Sequence, residues 1–134
     1  MSKKYILTNK KSLVDGVIVY QIHATRDVSN DVKKGDLGGY VESEANFSHD
    51  NHSWIYDHAK VYGNAKVYQN GVVCNGAKVY GNAKVSEYAK ISDDAKISGS
   101  VEITGNAKIS QFAEISGTAK ISGYTEISGN AKIN

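Results

Sequence analysis

The side chains that could do acid–base, nucleophilic or metal chemistry are four histidines and one cysteine: His23, His49, His52, His58 and Cys74. Histidine titrates near neutral pH and is the commonest general base, so His49 and His52 are the candidates for a catalytic base. No acidic residue stands at a spacing that fixes a dyad with either of them. The spacings among His49, His52 and His58 match no standard metal site. The sequence therefore predicts no metal centre and assigns no catalytic residue.

The single cysteine excludes an internal disulfide and is typical of a reducing compartment. The start MSKKYILTNKK lacks the apolar core of a secretory signal. No stretch of the chain is long and apolar enough to span a membrane. We therefore expect a cytoplasmic protein without a membrane partner.

The elements that must position these residues are dictated by a six-residue repeat between Ala59 and Asn134. In frame it reads AKVYGN, AKVYQN, GVVCNG, AKVYGN, AKVSEY, AKISDD, AKISGS, VEITGN, AKISQF, AEISGT, AKISGY, TEISGN and AKIN. The first position is small (Ala, with Gly71, Val101 and Thr125 as exceptions), the third is Val or Ile, and the last two are turn formers such as Gly-Asn or Asp-Asp. Because side chains alternate along a strand, positions one and three should point inward, and positions two and four outward. A period of six does not fit an amphipathic helix.

Four strand residues and two corner residues can form one side of a triangular coil, with three hexads per turn. Stacked coils then place each residue over the one eighteen positions later. This spacing predicts three internal columns: Val61, Val79, Ile97, Ile115 and Ile133; Val67, Val85, Ile103 and Ile121; and Val73, Ile91, Ile109 and Ile127.

The hexad resembles the repeat of left-handed parallel β-helix proteins, and the resemblance covers the chain from about Gly39. Only the resemblance implies the left-handed coiling. The segment VKKGDLGGYVESEANFSHDNHSWIYDHAKVYGNAKV is also similar to phage and prophage hexapeptide-repeat proteins, which are labelled acyltransferases or polymer-forming proteins. The resemblance implies an all-β fold of about five triangular coils at 39–134, and a host-cell cytoplasm or a virion as the location.

Residues 1–38 are expected to form a β-hairpin or meander cap and a link to the first coil, because a terminal coil needs cover. Asp15-Gly16 lies between two β-prone runs and predicts a hairpin turn. Val41 and Phe47 should enter the internal column. The spacing from Phe47 to Ile55 is two residues longer than the repeat, so a bulge is expected at residues 49–52.

One outer face is predicted to be a contact surface. Trp54, Tyr56, Val72 and Cys74 should face outward with no lysine among them. Exposed apolar patches usually mark contacts, with aromatic residues as anchors. The alternative is that the N-terminal hairpin covers this face.

The other outer columns carry tyrosine beside lysine: Tyr62 and Tyr80 stacked on one side, and Tyr68 on the next. Such a face could stack bases and contact phosphates. A net charge of only +2 and a single arginine argue against a nucleic acid partner. These tyrosines are therefore candidate contact residues. The simpler interpretation is that tyrosine occurs at these positions because it is favoured in β-strands.

The last coil, with Ile133 inside it, is a further candidate interface. We expect a non-enzymatic phage- or prophage-type solenoid that binds proteins or has a structural role, with a host factor as one class of partner. Self-association is the other, as a dimer through the C-terminal coil or a trimer through side faces. No cofactor is expected. The alternative, which the resemblance implies, is an acyltransferase that uses acetyl-CoA and a histidine base.

Overall fold

The computed structural model describes residues 3–134, which are built from short strands joined at regular corners. The strands are β1 (Tyr5–Val14), β2 (Val17–Ala24), β3 (Leu37–Val41), β4 (Trp54–Ile55), β5 (Lys60–Val61), β6 (Lys66–Val67), β7 (Val72–Val73), β8 (Lys78–Val79), β9 (Lys84–Val85), β10 (Lys90–Ile91), β11 (Lys96–Ile97), β12 (Glu102–Ile103), β13 (Lys108–Ile109), β14 (Glu114–Ile115), β15 (Lys120–Ile121), β16 (Glu126–Ile127) and β17 (Lys132–Ile133). A single 3₁₀ turn, Glu44–Asn46, interrupts the first coil.

These strands form three sheets. Sheet A has the order β1-β2-β3-β5-β8-β11-β14-β17, sheet B the order β15-β12-β9-β6, and sheet C the order β16-β13-β10-β7-β4. From β4 onward every pair is parallel and joins residues eighteen positions apart, as Lys96 with Lys78 and Glu114. The prediction of an all-β parallel solenoid with about five coils is confirmed.

The interior is formed by the predicted valine and isoleucine columns together with the alanines of position one. Ile91, Ile97 and Ile109 are fully buried, as are Val41 and Phe47 in the first coil. In the last coil Ile127 and Ile133 are only partly buried. Because burial of a large aliphatic side chain is worth roughly 1.5–3 kcal/mol, the continuous columns are the main stabilising feature of the stack.

Position five of each hexad takes a positive φ, and the three corners meet this requirement in two ways. One corner stacks Gly63, Gly81, Gly99 and Gly117. A methyl group on Gly99 would lie 2.6 Å from the carbonyl oxygen of Gly117, so the coils approach too closely there for any side chain. Glycine is needed at this corner for space as well as for conformation.

The corner between sheets C and A instead stacks Asp57, Asn75, Asp93 and Gln111, all at a φ between 58° and 59°. Here the side chain of each residue accepts a hydrogen bond from the amide of the residue one coil further. Asp93 Oδ2 lies 2.9 Å from the amide nitrogen of Gln111, and Asn75 Oδ1 lies 3.1 Å from that of Asp93. These bonds satisfy amides that the backbone ladder leaves free, which offsets part of the cost of left-handed backbone.

The N-terminal residues form the expected hairpin. β1 and β2 pair antiparallel around Asp15 and Gly16, whose φ angles of 50° and 79° fit the predicted tight turn. β3 pairs with β2 on one side and with β5 on the other, so sheet A runs without a break from the cap into the coils. Its antiparallel part lies above the first coil.

Within residues 3–134 there is no helix with the length and apolar character needed to cross a membrane.

Candidate binding surface

The outer face of sheet C carries a cleft that we call the ledge. Tyr56, Val72 and Cys74 are half-buried there and form its apolar floor. Asp31, Asp57 and Lys90 stand around them, and the cleft has a volume of about 480 Å³. Three of the four residues predicted for this contact surface are therefore brought together, next to charged residues that sequence reasoning did not connect with them.

Burial and nearby charges of both signs set the electrostatics of the ledge. Burial raises the pKa of the Tyr56 phenol, and the nearby carboxylate of Asp31 raises it further. Burial likewise raises the pKa of the Cys74 thiol, against which Lys90 acts in the opposite direction. Among residues 3–134, neither Asp31 nor Asp57 lies within 4.0 Å of a cationic side chain. The ledge therefore offers carboxylates without a cationic partner beside an apolar floor.

The expectation that Trp54 faces solvent is wrong. Trp54 is 1% exposed and packs edge-on against Phe47, with ring centroids 5.9 Å apart. Val28 and Val32, from the link after β2, belong to the same buried cluster. β4 is the first strand of sheet C, and the link after β2 covers its outward side chain, Trp54. Tyr56 lies at the margin of this buried cluster and is only partly covered.

The predicted stack of Tyr62 and Tyr80 exists, but the hairpin covers Tyr62, so the stack is not an open contact surface. Tyr62 and Tyr80 lie parallel with centroids 5.2 Å apart. Tyr62 is only 3% exposed because Val14 and Val19 of the hairpin pack on it, and its hydroxyl donates to Asp15. Burial and the Asp15 carboxylate raise the pKa of this phenol. The two tyrosines therefore anchor the cap on the outside of sheet A.

Tyr68 stays half-buried on sheet B, in a separate small cleft with Lys66 and Lys84. Ile133 lies in the last coil and packs against the core from its margin. Neither residue adjoins the ledge, so the predicted contact residues are spread over several surfaces.

His49 has the acidic partner that the sequence did not indicate. Its Nε2 lies 2.8 Å from Glu44 Oε1, while its Nδ1 accepts from the backbone amide of Lys4 at 3.1 Å. The amide donor fixes the tautomer, so Nε2 carries the proton and donates it to Glu44. The ring also stacks on Tyr5, with centroids 4.2 Å apart. With both nitrogens engaged, His49 fastens β1 to the bulge and is not poised as a base.

His52 is different, because one of its nitrogens is free for chemistry. Its Nδ1 lies 2.6 Å from the carbonyl oxygen of Val28, so this nitrogen donates its proton and Nε2 keeps a lone pair. His52 lies on the exposed bulge and does not line the ledge. His58 is an exposed corner residue, and His23 lies on β2. The histidines are not gathered into one site.

Lys4 is a buried charge that no sequence pattern singled out. It is fully buried, and its Nζ donates to the carbonyl oxygens of Asp50 and Ser53 and to Ser53 Oγ, at 2.8–3.1 Å. The ammonium also lies 4.3 Å from the centroid of the Phe47 ring. Burial, and secondarily the charge of Arg26, lower the pKa of Lys4 to about 7. With His49, it fixes the cap to the first coil.

Several exposed hydrophobic side chains are not predicted by the hexad pattern. Leu13 and Ile18 lie exposed at the end of the hairpin, and Tyr88, Phe112 and Tyr124 lie exposed at corners. The corner aromatics were visible in the sequence, because each occupies position six of its hexad, where small or polar turn formers are usual. The exposure of Leu13 and Ile18 was not visible in the sequence, because alternation alone does not show which end of a strand extends past the core.

Within residues 3–134, no group of three or more histidine, cysteine or acidic side chains is arranged to hold a metal ion. No protein-family model matches this chain, and no curated protein is similar to it at a significant level.

Proposed function

We propose that this chain is a non-enzymatic, phage- or prophage-type hexapeptide solenoid that acts by binding proteins. A host factor or a further copy of the chain is the partner. The ledge is the observation that carries the proposal. It combines a half-buried apolar floor of Tyr56, Val72 and Cys74 with exposed carboxylates that have no cationic partner among the described residues. Such a surface gains free energy when a complementary partner covers it.

The test is a change at the ledge that leaves the coils intact. Val72→Lys places at position two the residue that Lys90 and Lys108 already occupy in the same column, so the fold should tolerate it. Proteins from the native host that co-purify with the wild type should be lost with Val72→Lys. They should be retained by Ser110→Lys, which changes an outward position on the same sheet two coils away. Equal recovery with both variants would refute the ledge as the binding surface.

Acyl transfer is the second candidate, and the tautomer of His52 favours it. A histidine whose Nδ1 donates to a carbonyl oxygen presents Nε2 as a proton acceptor, which is what a general base requires. Titration calorimetry with acetyl-CoA tests this function. The enzyme reading requires saturable binding and transferase activity that His52→Ala abolishes, whereas the protein-binding proposal expects no heat of binding.

Self-association belongs to the same proposal. The last coil, with Ile127 and Ile133 only partly buried, and the side faces of the prism are the candidate surfaces for a dimer or a trimer. Left-handed coiling and a location in the host cytoplasm or a virion rest on the hexapeptide and phage resemblance. Sedimentation of the wild type and of Ile133→Asp tests the C-terminal surface, because only that contact should weaken with this change.

A further inference from the structure

The free end of the cap hairpin presents a second surface, which we call the knob. Leu13 and Ile18 are cross-strand partners and are 70% and 49% exposed. Behind them Lys11 pairs with Tyr20, and its Nζ lies 5.9 Å from the centroid of that ring. The knob is therefore an exposed aliphatic pair beside one cation.

The knob is held in place from its other side. Val14 and Val19 alternate with Leu13 and Ile18 along the strands and are buried against the tyrosines of sheet A. The hydroxyl of Tyr62 donates to Asp15 in the turn. Because the opposite face is fixed, the aliphatic pair cannot fold back onto its own coil, and its exposure is a lasting property of the surface.

The ledge is complementary to the knob in both charge and polarity. It provides an apolar floor of Tyr56, Val72 and Cys74, and its rim carries two carboxylates, from Asp31 and Asp57, against one cation, Lys90, so the ledge has a net charge of −1. Neither carboxylate lies within 4.0 Å of a cationic side chain among residues 3–134. Lys11, in turn, has no carboxylate within 4.0 Å among the same residues. An aliphatic pair with one adjacent cation matches an apolar floor with adjacent carboxylates.

We propose that the ledge of one copy receives the knob of a second copy. Leu13 and Ile18 cover Val72 and the Tyr56 ring, and the Lys11 ammonium lies between the carboxylates of Asp31 and Asp57. This contact rests on the proposed function, since it makes the chain its own protein partner. The knob lies on the cap end of sheet A and the ledge on sheet C, so each copy in a pair keeps one knob or one ledge free. The association is therefore head-to-tail, and it closes into a ring or continues as a chain.

The contact is small and exposed, so it should be weak and sensitive to salt. Interfaces well below about 1,200 Å² belong to transient complexes, and a dissociation constant in the range of tens to hundreds of micromolar is expected. Added salt should weaken it further, because Lys11 and the carboxylates remain near solvent.

Two variants of the full chain, mixed and apart, test the proposal. Leu13→Ser/Ile18→Ser removes the knob and keeps the ledge, while Asp31→Asn/Val72→Lys removes the ledge and keeps the knob. Sedimentation equilibrium at protein concentrations up to about 500 µM, above the expected dissociation constant, measures the association. We expect the wild type to form dimers and larger species, each variant alone to be monomeric, and the mixture to stop at a one-to-one dimer. Phe112→Ser, which removes a corner aromatic whose exposure lies between those of Leu13 and Ile18, should associate like the wild type.

Three outcomes would overturn the contact: a wild type that stays monomeric, single variants that still associate, or a mixture that stays monomeric although both proteins keep the wild-type melting temperature. Association lost with Ile133→Asp but kept by both variants would assign the interface to the last coil. A monomeric wild type would refute this contact alone, since binding of a different protein at the ledge is tested separately by Val72→Lys and Ser110→Lys.

Discussion

The junction between cap and first coil and the regular coils satisfy buried polar groups in opposite ways. Inside the coils nearly all buried side chains are aliphatic, and most backbone amides bond to the next coil in a regular ladder, which exposed side chains complete at the corners. At the junction, buried side chains supply the missing bonds. Asn46 Nδ2 donates to the carbonyl oxygens of Gly63 and Ala65, and Lys4 Nζ to those of Asp50 and Ser53.

This difference separates residues that have structural equivalents elsewhere in the chain from residues that have none. A coil residue has equivalents eighteen positions away, and a change there disturbs a stack that depends on its neighbours. A junction residue such as Lys4 has no equivalent, and its bonds hold only the cap. We therefore expect coil damage to unfold the solenoid cooperatively and junction damage to act first on the cap.

The largest effect should come from a charge inside the coils. Ile109 is fully buried in sheet C between Ile91 and Ile127. Ile109→Asp places a carboxylate among aliphatic side chains, which should cost more than about 4 kcal/mol of unfolding free energy. Thermal unfolding followed by circular dichroism should show a melting temperature lowered by many degrees or an unfolded chain. The neighbouring outward change Lys108→Asp should have little effect, and an unchanged melting temperature for Ile109→Asp would exclude a shared dry interior.

The glycine corner gives the next largest effect. Gly99→Ala adds a methyl group 2.6 Å from Gly117 O at a φ of 67°, so it should cost about 3 kcal/mol from clash and strained backbone together. Gly123→Ala is the matched control, because its φ is 66° but no atom lies within 4 Å of the added methyl group. That variant should lose only about 1 kcal/mol, for the backbone alone. Chemical denaturation measures both values, and equal losses would mean that the close approach of the coils does not matter.

The regular coils could be predicted because one short rule is repeated. Register, inward positions and corner positions all follow from the six-residue period, and the structure confirms them as far as Ile121. Even the bulge between Phe47 and Ile55 could be located, since it appears as a break in spacing. The turn at Asp15 and Gly16 was also readable, because positive φ restricts which residues can stand there.

The junction could not be predicted, because its contacts join residues far apart in sequence without a repeating pattern. Lys4 and Ser53 are 49 positions apart, and a lysine near the N-terminus normally indicates an exposed side chain. Trp54 fits the outward position of its hexad, yet the segment after β2 covers it. The ledge was half predicted for the same reason: Tyr56, Val72 and Cys74 follow from the hexads, but Asp31 comes from the link.

A change at Lys4 should destabilise the cap by a smaller amount. Lys4→Ala removes three hydrogen bonds and the contact with the Phe47 ring, so a loss of about 2–3 kcal/mol is expected. The control is Lys3→Ala, whose exposed ion pair with Glu44, at 3.3 Å, should contribute at most about 1 kcal/mol. Hydrogen exchange should show faster exchange of β1 and β2 amides in Lys4→Ala, while the amides of β8 to β13 stay protected. Uniform acceleration throughout would contradict a local role for the junction.

The last effect is a dependence of stability on pH between pH 7 and pH 9 that comes from Lys4 at the junction. The pKa of Lys4 falls from its ordinary value of 10.5 to about 7 on folding. Between these two values the unfolded chain binds one more proton than the folded chain, so the free energy of unfolding should rise with pH in this window. Below pH 7 both states are protonated and this contribution is flat. The melting temperature of the wild type should therefore rise between pH 7 and pH 9 relative to that of Lys4→Met. Methionine is the control because it keeps the side-chain volume without the charge. Parallel curves of melting temperature against pH would show that Lys4 keeps its proton when buried.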